Sequence, residues 1–130
     1  AVDFPVLMSN ADFSGEAALK DKLLKSTVIE RGGEKLGLIG LTPHNTDELS
    51  SPGPNVIFTD PSEAVQGEVD KLTEMGVNKI IVLSHSGYGL DQKVAAETTG
   101  EAINEGMITI FAAVCLGILV EISRNIARDE

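Results

Sequence analysis

The residue best placed to do chemistry is His85. It follows the apolar run Lys79 to Leu83 (KIIVL) and stands in the glycine-bearing segment Ser84 to Gly89 (SHSGYG). Such a run reads as a central strand covered on both faces. In α/β sheets, ligands bind beyond the carboxyl ends of strands. A histidine there can face a site and bind a metal through a neutral ring nitrogen. It can equally be a loop histidine held by a local hydrogen bond, and position alone leaves both readings open.

The neighbouring residues invite two further readings. Ser84-His85-Ser86 suggests a hydrolase nucleophile, but a nucleophile elbow needs Gly-x-Ser-x-Gly, and the residues flanking Ser86 are His85 and Gly87 with Ser84 and Tyr88 beyond. A base adjacent in sequence is also not a triad, which is assembled in space. Gly87-x-Gly89 precedes a helix-like stretch, yet position 92 is Gln, so the third glycine of a dinucleotide fingerprint is missing. The plainer role for these glycines is to let the loop turn sharply. His44 lies in a long polar segment and reads as a solvated loop residue. Asp60 and Glu63 read as a helix cap rather than as catalytic acids. Cys115 lies in an apolar run and reads as buried and inert. No Cys or His cluster has zinc spacing.

The elements that must position His85 can be read from pattern. Phe4 to Leu7 is a short buried strand, with Pro5 at its start. Asn10 to Gly15 is loop chemistry. Thr27 to Arg31 and Leu36 to Thr42 are paired strands around a Gly32-Gly33 hairpin turn. Pro43 to Asn55 is a long loop, and Val56 to Thr59 a short strand. Asp60 then caps a helix that has Pro61 in its first turn. Its apolar stripe is Val65, Val69 and Leu72, and it stops at Gly76. Leu90 to Thr98 is a second helix, with Leu90, Val94 and Ala95 facing inward. Strand, helix, strand, loop and helix in this order make an α/β unit. There are no internal repeats and no low-complexity tracts.

The totals bound the class. The chain has 130 residues, 42% of them apolar, which suits one globular domain with a modest core. Aromatics are only 4%, so the core is aliphatic. Twenty acidic against ten basic residues give a net charge of -10, and no basic run is present, which excludes nucleic acid as a partner. An acidic protein can still take a phosphate ester if a metal ion supplies the positive charge. A single cysteine excludes a disulfide within the chain. The chain opens at Ala1 with no initiator Met and no signal peptide, the pattern of a processed, excised or truncated product. The apolar run Met107 to Val120 is shorter than the roughly 18–20 residues of a membrane span, so a buried helix or strand is expected there.

Several segments in register carry a resemblance. They are Phe4-Pro5-Val6-Leu7 with Asn10, the hairpin Gly33 to Thr42 (GEKLGLIGLT), Ser51 to Val56 (SPGPNV), Asp60-Pro61 with its helix, and Val82 to Tyr88 (VLSHSGY). Over about residues 1–100 their order and spacing resemble the second half of the metallophosphoesterase domain of bacterial 5'-nucleotidases and related 2',3'-cyclic phosphodiesterases. The resemblance implies an α/β fold, part of a four-layer α/β/β/α sandwich holding a dinuclear divalent-metal centre. It implies hydrolysis of nucleotides or other phosphate esters by metal-bound hydroxide, in a periplasmic or extracellular setting. The family's Leu-Ser/Thr-His-x-Gly histidine is a metal ligand and maps onto His85. The family's Asp-x-His, bridging Asp and Gly-Asn-His-Asp/Glu precede the matched region and have no counterpart here. No histidine follows His85, so the family's Gly-His-x-His is absent as well. The family's C-terminal substrate domain has no counterpart either.

One imidazole cannot hold a divalent metal tightly, so the chain by itself is expected to be inactive. A companion chain would have to supply the missing ligands. Residues 101–130 read as a divergent tail with an apolar helix from about Met107 to Ala127. That helix must pack on the half-sandwich, self-associate through residues 107–120, or meet a membrane. The alternative to the hydrolase reading is therefore a non-catalytic interaction or remnant protein that forms homo-oligomers through this run.

Overall fold

The computed structural model describes residues 3–19, 22–98 and 108–113, the last as backbone only. In chain order the elements are β1 (Val6–Leu7), β2 (Ala11–Asp12), β3 (Leu23–Leu24), β4 (Ser26–Arg31), β5 (Glu34–Leu41), α1 (Thr46–Ser50), β6 (Ile57–Phe58), α2 (Pro61–Glu74), β7 (Lys79–Ser84), α3 (Tyr88–Glu97) and β8 (Ile108–Ala113). A four-stranded sheet in the order β4-β5-β7-β8 is the frame, and two small two-stranded pairs, β1-β3 and β2-β6, flank it.

The β4-β5 hairpin closes on Gly32 and Gly33, at φ 58 and 81. Two successive left-handed residues match the turn that suits the natural twist of paired strands. α2 then carries the chain across to β7, which pairs parallel with β5 from Gly37↔Ile80 to Leu41↔Ser84. Asp60 caps α2, accepting from the Ser62 amide at 2.9 Å and the Glu63 amide at 3.1 Å, and Pro61 opens the helix. Val65, Val69 and Leu72 are buried, as their spacing predicts. Gly76, at φ 76, lets the chain leave the helix.

The core lies between the sheet and these helices. Ile39 and Leu41 of β5, Ile80 and Val82 of β7, Val65, Val69 and Leu72 of α2, Val77, and Val94 of α3 form one buried cluster. Each such side chain contributes about 1.5–3 kcal/mol of transfer free energy.

Four expectations change. Among the described residues β7 is fully covered on one face only: Ile80, Val82 and Ser84 are buried, while Lys79, Ile81 and Leu83 are half-buried. The helices α2 and α3 lie on the first face, and among the described residues the Phe4–Met8 segment is what approaches the second. The strand expected over Phe4 to Leu7 is short, and Phe4 and Pro5 are exposed. The loop Pro43 to Asn55 contains the one-turn helix α1. Ile108–Ala113 is a strand rather than the start of a helix, paired parallel with β7 from Lys79↔Ile108 to Ser84↔Ala113. A run apolar on all sides suits a parallel strand as well as a buried helix, and Ile108, Thr109, Ile110 and Phe111 favour the strand. The remainder of the expected helix, Cys115, and the boundary at residues 100 and 101 lie outside the described residues. No described helix is long and apolar enough to cross a membrane.

Candidate functional site

The parallel pairing of β5 and β7 brings their carboxyl ends together, and the candidate site is built there. His85 leaves β7 and donates its amide to the Leu41 carbonyl at 3.0 Å, extending the ladder by one bond. Ser86 is held twice: its amide donates to Ser84 Oγ at 3.1 Å, and its hydroxyl donates to the Thr42 carbonyl at 3.1 Å. Gly87 follows at φ 90 and α3 begins at Tyr88. The backbone on both sides of His85 is therefore tied down, while its side chain is exposed.

Asn10 supports this turn from below. It is fully buried, and its side-chain amide bridges the Thr42 peptide like a strand: Nδ2 donates to the Thr42 carbonyl and Oδ1 accepts from the Thr42 amide, both at 3.0 Å. Its own carbonyl accepts from the Thr59 amide at 3.0 Å. A buried amide whose donor and acceptor are both used specifies one arrangement, because any other leaves a polar group unpaired.

Ser84 is buried, and its hydroxyl donates to Asp91 Oδ1, one turn into α3. Neither serine hydroxyl is thus free to act as a nucleophile. Gly87 does make the sharp turn into α3, while Gly89 lies inside the helix. His44 is exposed, and Asp60 is committed to its cap.

His85 lines a cavity of about 620 Å³ that runs along the half-covered face of the sheet. Its walls are apolar, with Phe4 and Val6 on one side and Ile29, Leu38 and Leu83 on the other. An exposed imidazole on a fixed backbone is a competent single donor to a metal. Among the described residues no group of three or more His, Cys, Asp or Glu is gathered to hold an ion. These residues fit one ligand position and not a whole metal centre.

The sequence pattern puts Asn10 in a loop and gives Asp91 no role. A signal for Asp91 is nevertheless present: it lies on the same face of α3 as buried Val94, three residues on, so a polar residue occupies an inward position.

No family model matches the chain. Among curated proteins, the 5'-nucleotidase of Diplobatis ommata is 44% identical over 102 residues, which is 76% of this chain and 18% of that protein. Among solved structures, a 5'-nucleotidase precursor from Thermus thermophilus superposes with a TM-score of 0.69 at 50% identity, covering 71% of this chain and 18% of that one. The NAD nucleotidase of Haemophilus influenzae superposes with a TM-score of 0.66 at 34% identity, covering 72% and 19%. The chain thus spans under a fifth of the length of the proteins it matches.

Proposed function

The matched part of this chain is a portion of a 5'-nucleotidase-family protein, and from that premise we propose that it serves a metal-dependent phosphoric ester hydrolase acting on nucleotides, with His85 as one metal ligand. The observation that carries the reading is the placement of His85. It is an exposed imidazole on a backbone fixed at the carboxyl end of β7, within a motif that resembles the family's ligand segment. The rest of a dinuclear divalent-metal centre would come from chain beyond the described residues or from a companion chain. The half-covered sheet face would pack against that same partner layer, completing an α/β/β/α sandwich. With one donor, the isolated chain should hydrolyse nothing. An exported setting, periplasmic or extracellular, goes with the family resemblance.

The test is a graft. Residues 3–98 replace the corresponding segment of the Thermus thermophilus protein, and hydrolysis of a nucleoside monophosphate is followed with added Mn²⁺. The graft should be active, and His85→Ala should lower its activity about 100-fold or more, as loss of a metal-site contact does. A graft that folds and hydrolyses the nucleotide equally well with and without His85 would overturn the reading.

A further inference from the structure

We propose that Asp91 is the positioning residue of the His85 turn, acting through the Ser84 hydroxyl; this rests on the reading of His85 as a ligand. The chain of bonds is short. Asp91 Oδ1 accepts from Ser84 Oγ, and Ser84 Oγ accepts from the Ser86 amide at 3.1 Å. A serine hydroxyl can rotate, and it becomes a fixed acceptor only when its proton is committed elsewhere. Asp91 commits it. With the Ser84 oxygen so oriented, the Ser86 amide has one partner. His85, between the two serines, is held from both sides.

The burial of Asp91 argues that it is there for this purpose. The residue is 5% exposed, and its second oxygen, Oδ2, is buried without a hydrogen-bond partner among the described residues. An unsatisfied buried acceptor is a cost that a leucine at the same inward position of α3 would avoid. Its place in the first turn of α3 offsets part of that cost, since a carboxylate is favoured near a helix N-terminus. What the carboxylate supplies that an apolar residue cannot is an acceptor for Ser84. The second anchor, Ser86 Oγ on the Thr42 carbonyl, fixes where the turn sits over β5. The Asp91–Ser84 pair fixes its orientation about the end of β7.

Amide hydrogen exchange on the full chain tests this without a metal. The Ser86 amide, in the turn after β7, is read against that of Val82 within β7, so global stability cancels. Ser84→Ala and Asp91→Leu should each speed Ser86 exchange about tenfold relative to Val82, and Asp91→Asn, which keeps an acceptor, should leave the ratio near wild type. In the graft, Asp91→Leu should raise the Mn²⁺ concentration needed for half-maximal hydrolysis about tenfold, and Asp91→Asn should not. An unchanged Ser86-to-Val82 ratio in Asp91→Leu would overturn the proposal. So would an Asp91→Leu effect that persists in full on top of Ser84→Ala. Exchange that responds as described while His85→Ala leaves the graft fully active would sink the ligand reading and keep the positioning role.

Discussion

On one face of the central sheet, Ile39, Leu41, Ile80 and Val82 lie buried beneath α2 and α3. On the other face of the same sheet, Thr27, Ile29, Leu38 and Leu83 are half-buried beside a cavity and a two-residue strand, and Ile81 is half-buried as well. Both faces are mainly aliphatic, so hydropathy does not distinguish them; the helices do. Among the described residues this apolar face lacks a full cover, and large apolar patches are normally covered. The candidate ligand stands at the rim between the two. Ser84, just before it, points into the helix-covered face, and His85 opens on the cavity.

The largest test of this contrast is truncation on each face. Leu72, buried under the sheet, should cost about 2–5 kcal/mol as Leu72→Ala. Leu83→Ala on the half-covered face should cost roughly 1 kcal/mol, because much of that side chain already meets water. Urea denaturation of the two variants checks this, and equal costs would break the comparison.

The glycines of β5 sharpen it further. A Cβ on Gly40 would stand 2.3 Å from the Leu7 carbonyl oxygen, which is backbone, whereas one on Gly37 would meet the Leu72 Cδ1 tip at 2.8 Å. Gly40→Ala should therefore push the Phe4–Met8 segment off the sheet, at about 1–3 kcal/mol. Faster exchange of the Ser9 amide, which is bonded to the Gly40 carbonyl at 2.7 Å, would report it. Gly37→Ala should cost less, since Leu72 can shift.

The smallest effect lies away from both faces. Asp12 accepts from the Ser14 amide at 2.8 Å, which with the Ser14 hydroxyl holds its carboxyl below the ordinary value of 3.8. A lowered value means that the stabilisation is present above that pH and is lost as pH falls through the folded value. The stability gap between wild type and Asp12→Asn should thus be full near neutrality and close on acidification. A gap that widens in acid would contradict the assignment.

Much of this frame is legible in the sequence, for local reasons. Gly32-Gly33 announces the hairpin, Asp60-Pro61 the start of α2, and Val65, Val69 and Leu72 its buried stripe. What is not legible depends on long-range placement. Asn10 reads as loop chemistry until Thr42, far along the chain, is found against it. Asp91 acquires a role only when α3 folds back on Ser84. The strand at Ile108–Ala113 reads as helix in the sequence because an all-apolar run has no period to separate the two states. The half-covered face escapes a sequence reading because a two-sided apolar strand records the need for cover and not its source.

The central claim is that His85 is a ligand position. Its most direct test is the Mn²⁺ dependence of nucleotide hydrolysis by the graft with and without His85→Ala. A metal ligand predicts that the variant needs at least about tenfold more Mn²⁺ for half-maximal rate, along with its lower activity. A variant whose Mn²⁺ requirement matches that of the parent graft would contradict it.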